Sequence, residues 1–224
     1  MKILVACEES QAVTIELRKL GHEAYSCDII ECSGGHPEWH IRWDALALIN
    51  GNCSFMTEDH ELHHIDGKWD MLIAHPPCTY MSNAGACRMF PRKGQIDPER
   101  FAKAMEAKAF FMAFYNADCE KICIENPVPL SVVGLPEKSQ VIQPYEYGHP
   151  YTKKTYLWLK GLPQLKPTDV VKPVGPYVCG NAEIWKKQAR KGVVYGKEKS
   201  AKHRSKTFEG WARAIAEQLA GDAL

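Results

Sequence analysis

Residues 69–78 read Trp69-Asp70-Met71-Leu72-Ile73-Ala74-His75-Pro76-Pro77-Cys78, a nearly all-apolar run that stops at two prolines and a thiol. A short unbroken apolar run predicts a strand buried on both faces, because a half-buried strand would alternate apolar with polar residues. The prolines stiffen the backbone and remove two N–H donors, so the strand ends in a fixed extended turn. Comparable runs lie on either side. Lys2–Cys7 reads as one strand and Glu23–Asp28 as a second that closes on an acid. Lys121–Glu125 is stopped by Asn126-Pro127, and Thr155–Leu159 by Gly161 and Pro163.

Helical patterns separate these strands. Ser10–Leu20 has Ser10 as N-cap and Val13, Leu17 and Leu20 on one face. Pro98–Asn116 carries Phe101, Met105, Ala109, Met112 and Ala113 along one stripe, and Thr207–Leu219 carries Phe208, Trp211, Ile215 and Leu219. Strands without alternation, joined by helices, predict an α/β domain built on a doubly wound, mostly parallel sheet. Such sheets bind ligands beyond the carboxyl ends of their strands. Cys7-Glu8-Glu9, Asp28, His75–Cys78 and Glu125-Asn126 all fall at those ends.

Composition narrows the function classes. With 45% hydrophobic and 25% charged residues among 224, the chain is neither disordered, collagen-like nor a coiled coil. No apolar run approaches the roughly 20 residues that span a bilayer, and MKILVAC is too short for a secretory signal, so a cytoplasmic location and no membrane partner are expected. Nine scattered cysteines without C-x-x-C predict free thiols in a reducing compartment. The net charge is only +1, yet residues 151–206 hold fourteen Lys/Arg against three acids. That imbalance reads either as a solvated lysine-rich surface or as a phosphate-facing lobe carrying Lys186, Lys187, Arg190, Lys191 and Arg204. Its Pro, Gly and Lys content predicts a basic insertion at 164–204 within a domain formed by 1–163 and 205–224.

Taken singly, the motifs have plain explanations. Pro76-Pro77-Cys78 can present a nucleophile in a fixed direction, or Cys78 can be a small buried hydrophobe. Glu125 can pair with the donor edge of a planar base, donate a proton if burial raises its pKa, or merely cap a loop. Cys119 and Cys123 read as buried thiols, and Trp39, Trp43, Trp158 and Trp211 as core or edge packing. His60-Glu61-Leu62-His63-His64 satisfies H-E-x-x-H, which on a helix would gather two imidazoles. The segment is short and polar and has no third ligand, so no metal is expected.

Together, and in order, the motifs resemble the cytosine-C5 DNA methyltransferase family. LVACEESQAVTIELRKLGHEAYSCDI is similar to its first two motifs, WDMLIAHPPCTYMSNAG to the one carrying the nucleophilic cysteine, and ICIENPV to the Glu-Asn motif that grips the base. YGHPYTKKTYLWL resembles the segment with a basic residue on the base and phosphate, and HRSKTFEGWARAIAEQL the terminal helix. The resemblance implies S-adenosylmethionine as cofactor, held by the Cys7-Glu8-Glu9-Ser10 turn, Asp28 on the ribose, Asp44 near the adenine, and Pro76. It implies Cys78 as the nucleophile on cytosine C6, with Glu125 on N3 and the amine. Lys154 stands where the family has arginine, with Lys153 beside it and Asn126 among the substrate contacts. The expected partner is DNA, double-stranded or single-stranded, bound by a monomer or weak dimer; a free cytosine nucleotide is an alternative substrate. Where the family's first motif has glycines, this chain has Cys7-Glu8-Glu9-Ser10-Gln11. A different sulfonium donor, a DNA-binding protein that has lost catalysis and, last, a metalloprotease are the rival readings.

Overall fold

A computed structural model describes residues 1–177 and 207–221. The strands are β1 (Lys2–Ala6), β2 (Glu23–Asp28), β3 (His40–Arg42), β4 (Cys53–Met56), β5 (Leu62–Ile65), β6 (Met71–Ala74), β7 (Ile122–Pro127), β8 (Gln140–Ile142), β9 (Tyr151–Thr152), β10 (Thr155–Lys160) and β11 (Gly175–Pro176). The helices are α1 (Ala12–Lys19), α2 (Ala86–Met89), α3 (Pro98–Tyr115) and α4 (Glu209–Ile215), the last continued by a π turn over Ala216–Ala220.

Seven strands form the central sheet in the order β3-β2-β1-β6-β7-β10-β8. All neighbours are parallel except β10, which runs antiparallel to both β7 and β8. The order reverses between β1 and β6, the switch point at which a doubly wound sheet opens a crevice. The expected Rossmann-like, mostly parallel α/β fold is therefore present. Because β10 is reversed, its first residues stand at the same sheet edge as the end of β7, where Thr155 faces Pro127.

Alternating residues of each strand serve two cores. Ile3 and Val5 join Val13, Leu17, Trp211 and Ile215 beneath α1 and α4, whereas Leu4 and Ala6 join Phe111, Phe114 and Trp158 beneath α3. Each such large apolar side chain contributes about 1.5–3 kcal/mol on burial. The buried stripe of α3 is Ala104, Phe111 and Phe114, while Ala109 is exposed. Phe101, Met105, Met112 and Ala113 pack only partly. The helix carries apolar residues on more than one face, so several stripes fit its period, and the flanking core selects one.

Other expectations are corrected at element boundaries. Strand β7 runs through Asn126-Pro127, since β10 supplies pairing partners up to Pro127. Strand β3 and the β4–β5 hairpin were not expected from the pattern; three residues are too few to show a period. His60-Glu61-Leu62-His63-His64 is a turn followed by β5, not a helix, and His63 and His64 bond to Tyr25 and Ser54 respectively. Among the described residues no cluster could hold a metal ion. Trp43 is 63% exposed rather than packed, because it follows the last residue of β3 at the sheet edge.

The described part of the expected insertion is stitched onto the domain. Gln140 exchanges two hydrogen bonds with the backbone of Leu165 (2.7 and 2.8 Å), Lys166 exchanges two with Gln218 (2.7 and 2.9 Å), and Leu165 is buried. Lys186, Lys187, Arg190, Lys191 and Arg204 lie outside the described residues. No helix among the described residues is long and apolar enough to cross a membrane.

Candidate active site

The carboxyl edge of the sheet collects the predicted residues into two neighbouring groups. Beyond β1, β2 and β3 lie Cys7–Ser10, Asp28 and Asp44; beyond β6 and β7, and before β10, lie His75–Cys78, Glu125–Pro127 and Lys153-Lys154.

The first group begins with backbone geometry. Cys7 and Gln11 have φ of 59° and 57°, the left-handed conformation that glycine adopts freely and other residues at a cost of about 1–3 kcal/mol. The turn thus keeps a glycine-type path without glycine. Gln11 is fully buried; its amide donates to the carbonyl of His36 (2.8 Å) and accepts from the His36 N–H (3.1 Å), drawing residues 32–36 over the turn. A Cβ on Gly34 would stand 2.6 Å from the Gln11 side chain, so this crossing requires glycine.

The two carboxylates of the turn are both committed locally. Glu8 is buried and accepts hydrogen bonds from the Val13 N–H (2.6 Å), the Thr14 N–H (3.2 Å) and the Thr14 hydroxyl (2.7 Å). It satisfies the first turn of α1, a role expected of Ser10, which makes no such bond; Glu8 reaches the donors from behind the N-cap. Glu9 accepts from the Ser33 hydroxyl, and its carbonyl from the Ser33 N–H at 2.7 Å.

Asp28, at the end of β2, accepts from the Ile30 N–H at 3.3 Å and keeps part of its surface open. Burial pushes its pKa upward, and the neighbouring Glu9 adds to the rise. Burial together with Asp28, Cys27 and Asp44 holds the Cys7 thiol far above its ordinary range, so these acids share one neighbourhood with it. Asp44 accepts from the Leu46 N–H at 3.0 Å. Around them Ile29, Ile30 and Trp43 are exposed at 73%, 48% and 63%. These apolar faces were missed because each occupies a loop without periodicity.

The residues therefore fit an adenosine group: a carboxylate for ribose hydroxyls, exposed apolar surfaces for a purine, and a turn whose acids are hydrogen-bonded to local donors. A cavity of about 860 Å³, lined by Trp43, Leu48, Phe55, Met56 and Leu62, opens instead between β3 and the hairpin and contains none of the cysteine turn.

The second group centres on Cys78. The Met81 and Ser82 N–H groups donate to its carbonyl (3.1 and 2.9 Å), closing a tight turn after the two prolines. Asn126 braces this turn from β7, donating from Nδ2 to the Pro76 carbonyl at 2.9 Å; it is fully buried, so it supports Cys78 and does not line the cleft. The Pro76 carbonyl is occupied by that bond. Cys78 retains partial exposure. Burial and then the Glu125 carboxylate raise its pKa, while Lys153 and Ser82 lower it. Cys78, Glu125 and Lys153 thus act on one another across the ends of three strands.

Of the two lysines, Lys153 is the one whose charge reaches Cys78 and His75; its Nζ lies 5.7 Å from the Phe208 ring centre. Lys154 is exposed, with Nζ 5.7 Å from the Tyr156 ring centre. His75, not singled out by the motif, donates from Nδ1 to Glu125 Oε2 at 3.2 Å. Their side chains are only 9% and 13% exposed.

No family model matches the chain, and no curated protein matches it. Among solved structures, a prophage-encoded protein of E. coli described as a candidate DNA modification methyltransferase is similar at 13% identity and a TM-score of 0.42, over 78% of this chain. The chain spans about half (53%) of that protein's length.

Proposed function

We propose that the protein transfers a methyl group from S-adenosylmethionine to C5 of cytosine in DNA, through a covalent bond between Cys78 Sγ and C6 of the base. The observation that carries this reading is that Cys78, Glu125 and Lys153 stand together at the carboxyl edge of β6, β7 and β10, near enough that the carboxylate raises and the ammonium lowers the pKa of the thiol. A nucleophile, an acid able to pair with a base edge, and a cation meet where the fold opens its crevice.

In this reading Asp28 accepts from the ribose hydroxyls of the cofactor, while Ile29 and Trp43 flank the adenine near Asp44. The cofactor supplies an electrophilic methyl group on a sulfonium. Cys78 gives up its thiol proton to solvent, with Lys153 opposing the effect of burial and Glu125, and the thiolate so formed adds to C6 and makes C5 nucleophilic. Glu125 pairs with N3 and the exocyclic amine and holds the ring over the sulfur. A base inside a duplex has to leave the stack to arrive there. The basic residues from Lys186 to Arg204 supply phosphate contacts.

The test is mass analysis of nucleosides from DNA incubated with the protein and isotope-labelled donor. Label on cytosine C5, lost in Cys78→Ala, is the expected result. Label on another position, or methylation surviving in Cys78→Ala, refutes the assignment. Methylation of free cytidine nucleotides in preference to DNA, with no salt dependence, would replace DNA as the substrate.

A further inference from the structure

His75 belongs to no part of the chemistry assigned so far, yet its largely enclosed side chain lies at the centre of the site. Its backbone N–H donates to the Ala6 carbonyl (3.0 Å), which anchors the residue beside β1. Its Nδ1 meets Glu125 Oε2 at 3.2 Å across fifty residues of sequence. Its Nε2 is buried and makes no hydrogen bond among the described residues. Glu125 Oε1 makes no hydrogen bond among the described residues, which leaves that oxygen free to face a ligand while Oε2 faces the imidazole.

The charges that face the ring come from every side. Glu8 approaches from the turn after β1, Glu125 from β7, and Lys153 from the segment before β10. Burial alone would expel the ring's proton, but the two carboxylates outweigh it and hold His75 above its ordinary range, with Lys153 opposing.

Resting on the reading above, we infer that His75 is the positioning residue of Glu125: it orients the carboxyl through Oε2 and stores the proton that Glu125 delivers to N3 of the base. The accounting closes. When the base docks, the Nδ1–H bond breaks and an Oε2–H bond forms, leaving a neutral imidazole and a neutral acid, and rotation of the carboxyl about its Cγ–Cδ bond turns that O–H toward N3. As the thiolate adds to C6, that O–H bond breaks and N3–H forms, so the electron pair displaced from the C5–C6 double bond is carried as a neutral enamine. After C5 is methylated its hydrogen leaves as a proton to solvent water, the electron pair of that C–H bond re-forms the C5–C6 double bond as the thiolate is expelled, and the N3 proton returns through Glu125 to Nδ1.

The experiment has one arm that needs no turnover. In the full-length protein with isotope-labelled histidine, the His75 resonance, identified by its loss in His75→Asn, should titrate above the ordinary imidazole range and move down in Glu125→Gln. The second arm compares wild type with His75→Asn, whose amide can still donate to Oε2 but stores no titrating proton. The wild-type kcat should fall on the alkaline side at the His75 midpoint. In His75→Asn that limb should vanish and kcat should drop by at least about tenfold, with KM values for DNA and donor within about twofold. A midpoint indifferent to Glu125→Gln, or an unchanged pH profile in His75→Asn, overturns the inference while leaving methylation intact. A wild type that methylates no cytosine overturns the function proposed above together with the onward transfer to the ring, and is recognised because the Glu125-dependent midpoint persists.

Discussion

Replacing Glu8 separates a structural role from a ligand-binding one. Three donors converge on its buried carboxylate: Val13 N–H at 2.6 Å, Thr14 N–H at 3.2 Å and the Thr14 hydroxyl at 2.7 Å. Loss of a helix cap costs about 1 kcal/mol, and each buried donor left without a partner costs roughly 1–3 kcal/mol. The carboxylate's own desolvation offsets part of that sum. For Glu8→Ala the net expectation is a loss of about 3 kcal/mol. At roughly 2–4 °C per kcal/mol for a chain of this size, Tm should drop by about 6–12 °C. Glu8→Gln keeps one acceptor and should lose about half as much. Thermal unfolding gives the first readout, and calorimetric titration of the folded variants with S-adenosylmethionine the second. If Glu8→Ala melts within about 2 °C of wild type yet loses donor binding, the residue belongs to the ligand and the assignment of its carboxylate to α1 is wrong.

Further expectations concern the rest of the edge. Asp28→Asn should weaken donor binding by about 1–3 kcal/mol, as loss of charged hydrogen bonds does, with little change in Tm; equal calorimetric affinity would refute the ribose assignment. Lys153→Gln should slow alkylation of Cys78 by iodoacetamide at neutral pH, because a cation that favours the thiolate is removed, whereas Lys154→Gln should leave the rate unchanged. Glu125→Gln should accelerate the same alkylation, and slower labelling would contradict the like-charge contact. His75 is held above its ordinary 6.5, so its contribution to stability is complete below about that pH and is lost as pH rises through the folded-state value. Urea midpoints from pH 6 to 9 should therefore fall in wild type relative to His75→Asn, and a pH-independent difference would refute the sign.

The parts that were legible in the chain are those where one short apolar run ends in a reactive group. Met71–Ala74 before His75–Cys78, Ile122–Ile124 before Glu125, and Glu23–Cys27 before Asp28 each declare a strand together with the polar group at its carboxyl end, and the sheet aligns those groups on one edge. His40–Arg42 could not be seen, being too short for a period, and the hairpin was hidden behind a chance metal-like spacing at His60–His64. The exposure of Trp43 depends on where β3 stops, which composition does not encode. Ser10 looked like a cap because caps are usually local, whereas Glu8 serves α1 from behind the left-handed Gln11. Most telling is His75: just after an apolar run it reads as punctuation, and only its meeting with Glu125, fifty residues away, reveals a partner. The choice between Lys153 and Lys154 is of the same kind, since adjacent residues at a strand start point in different directions.

The account stands on a sulfur–carbon bond, and that bond can be trapped. A cytosine that carries fluorine at C5 has no proton there to release, and fluorine cannot leave in its place, so an adduct formed on such a DNA duplex in the presence of S-adenosylmethionine should persist through denaturation. Digestion and mass spectrometry of that complex should place a methylated fluoropyrimidine on the peptide containing Cys78. An enzyme that methylates ordinary DNA but forms no such complex, or forms it on another residue, would contradict the mechanism at its root.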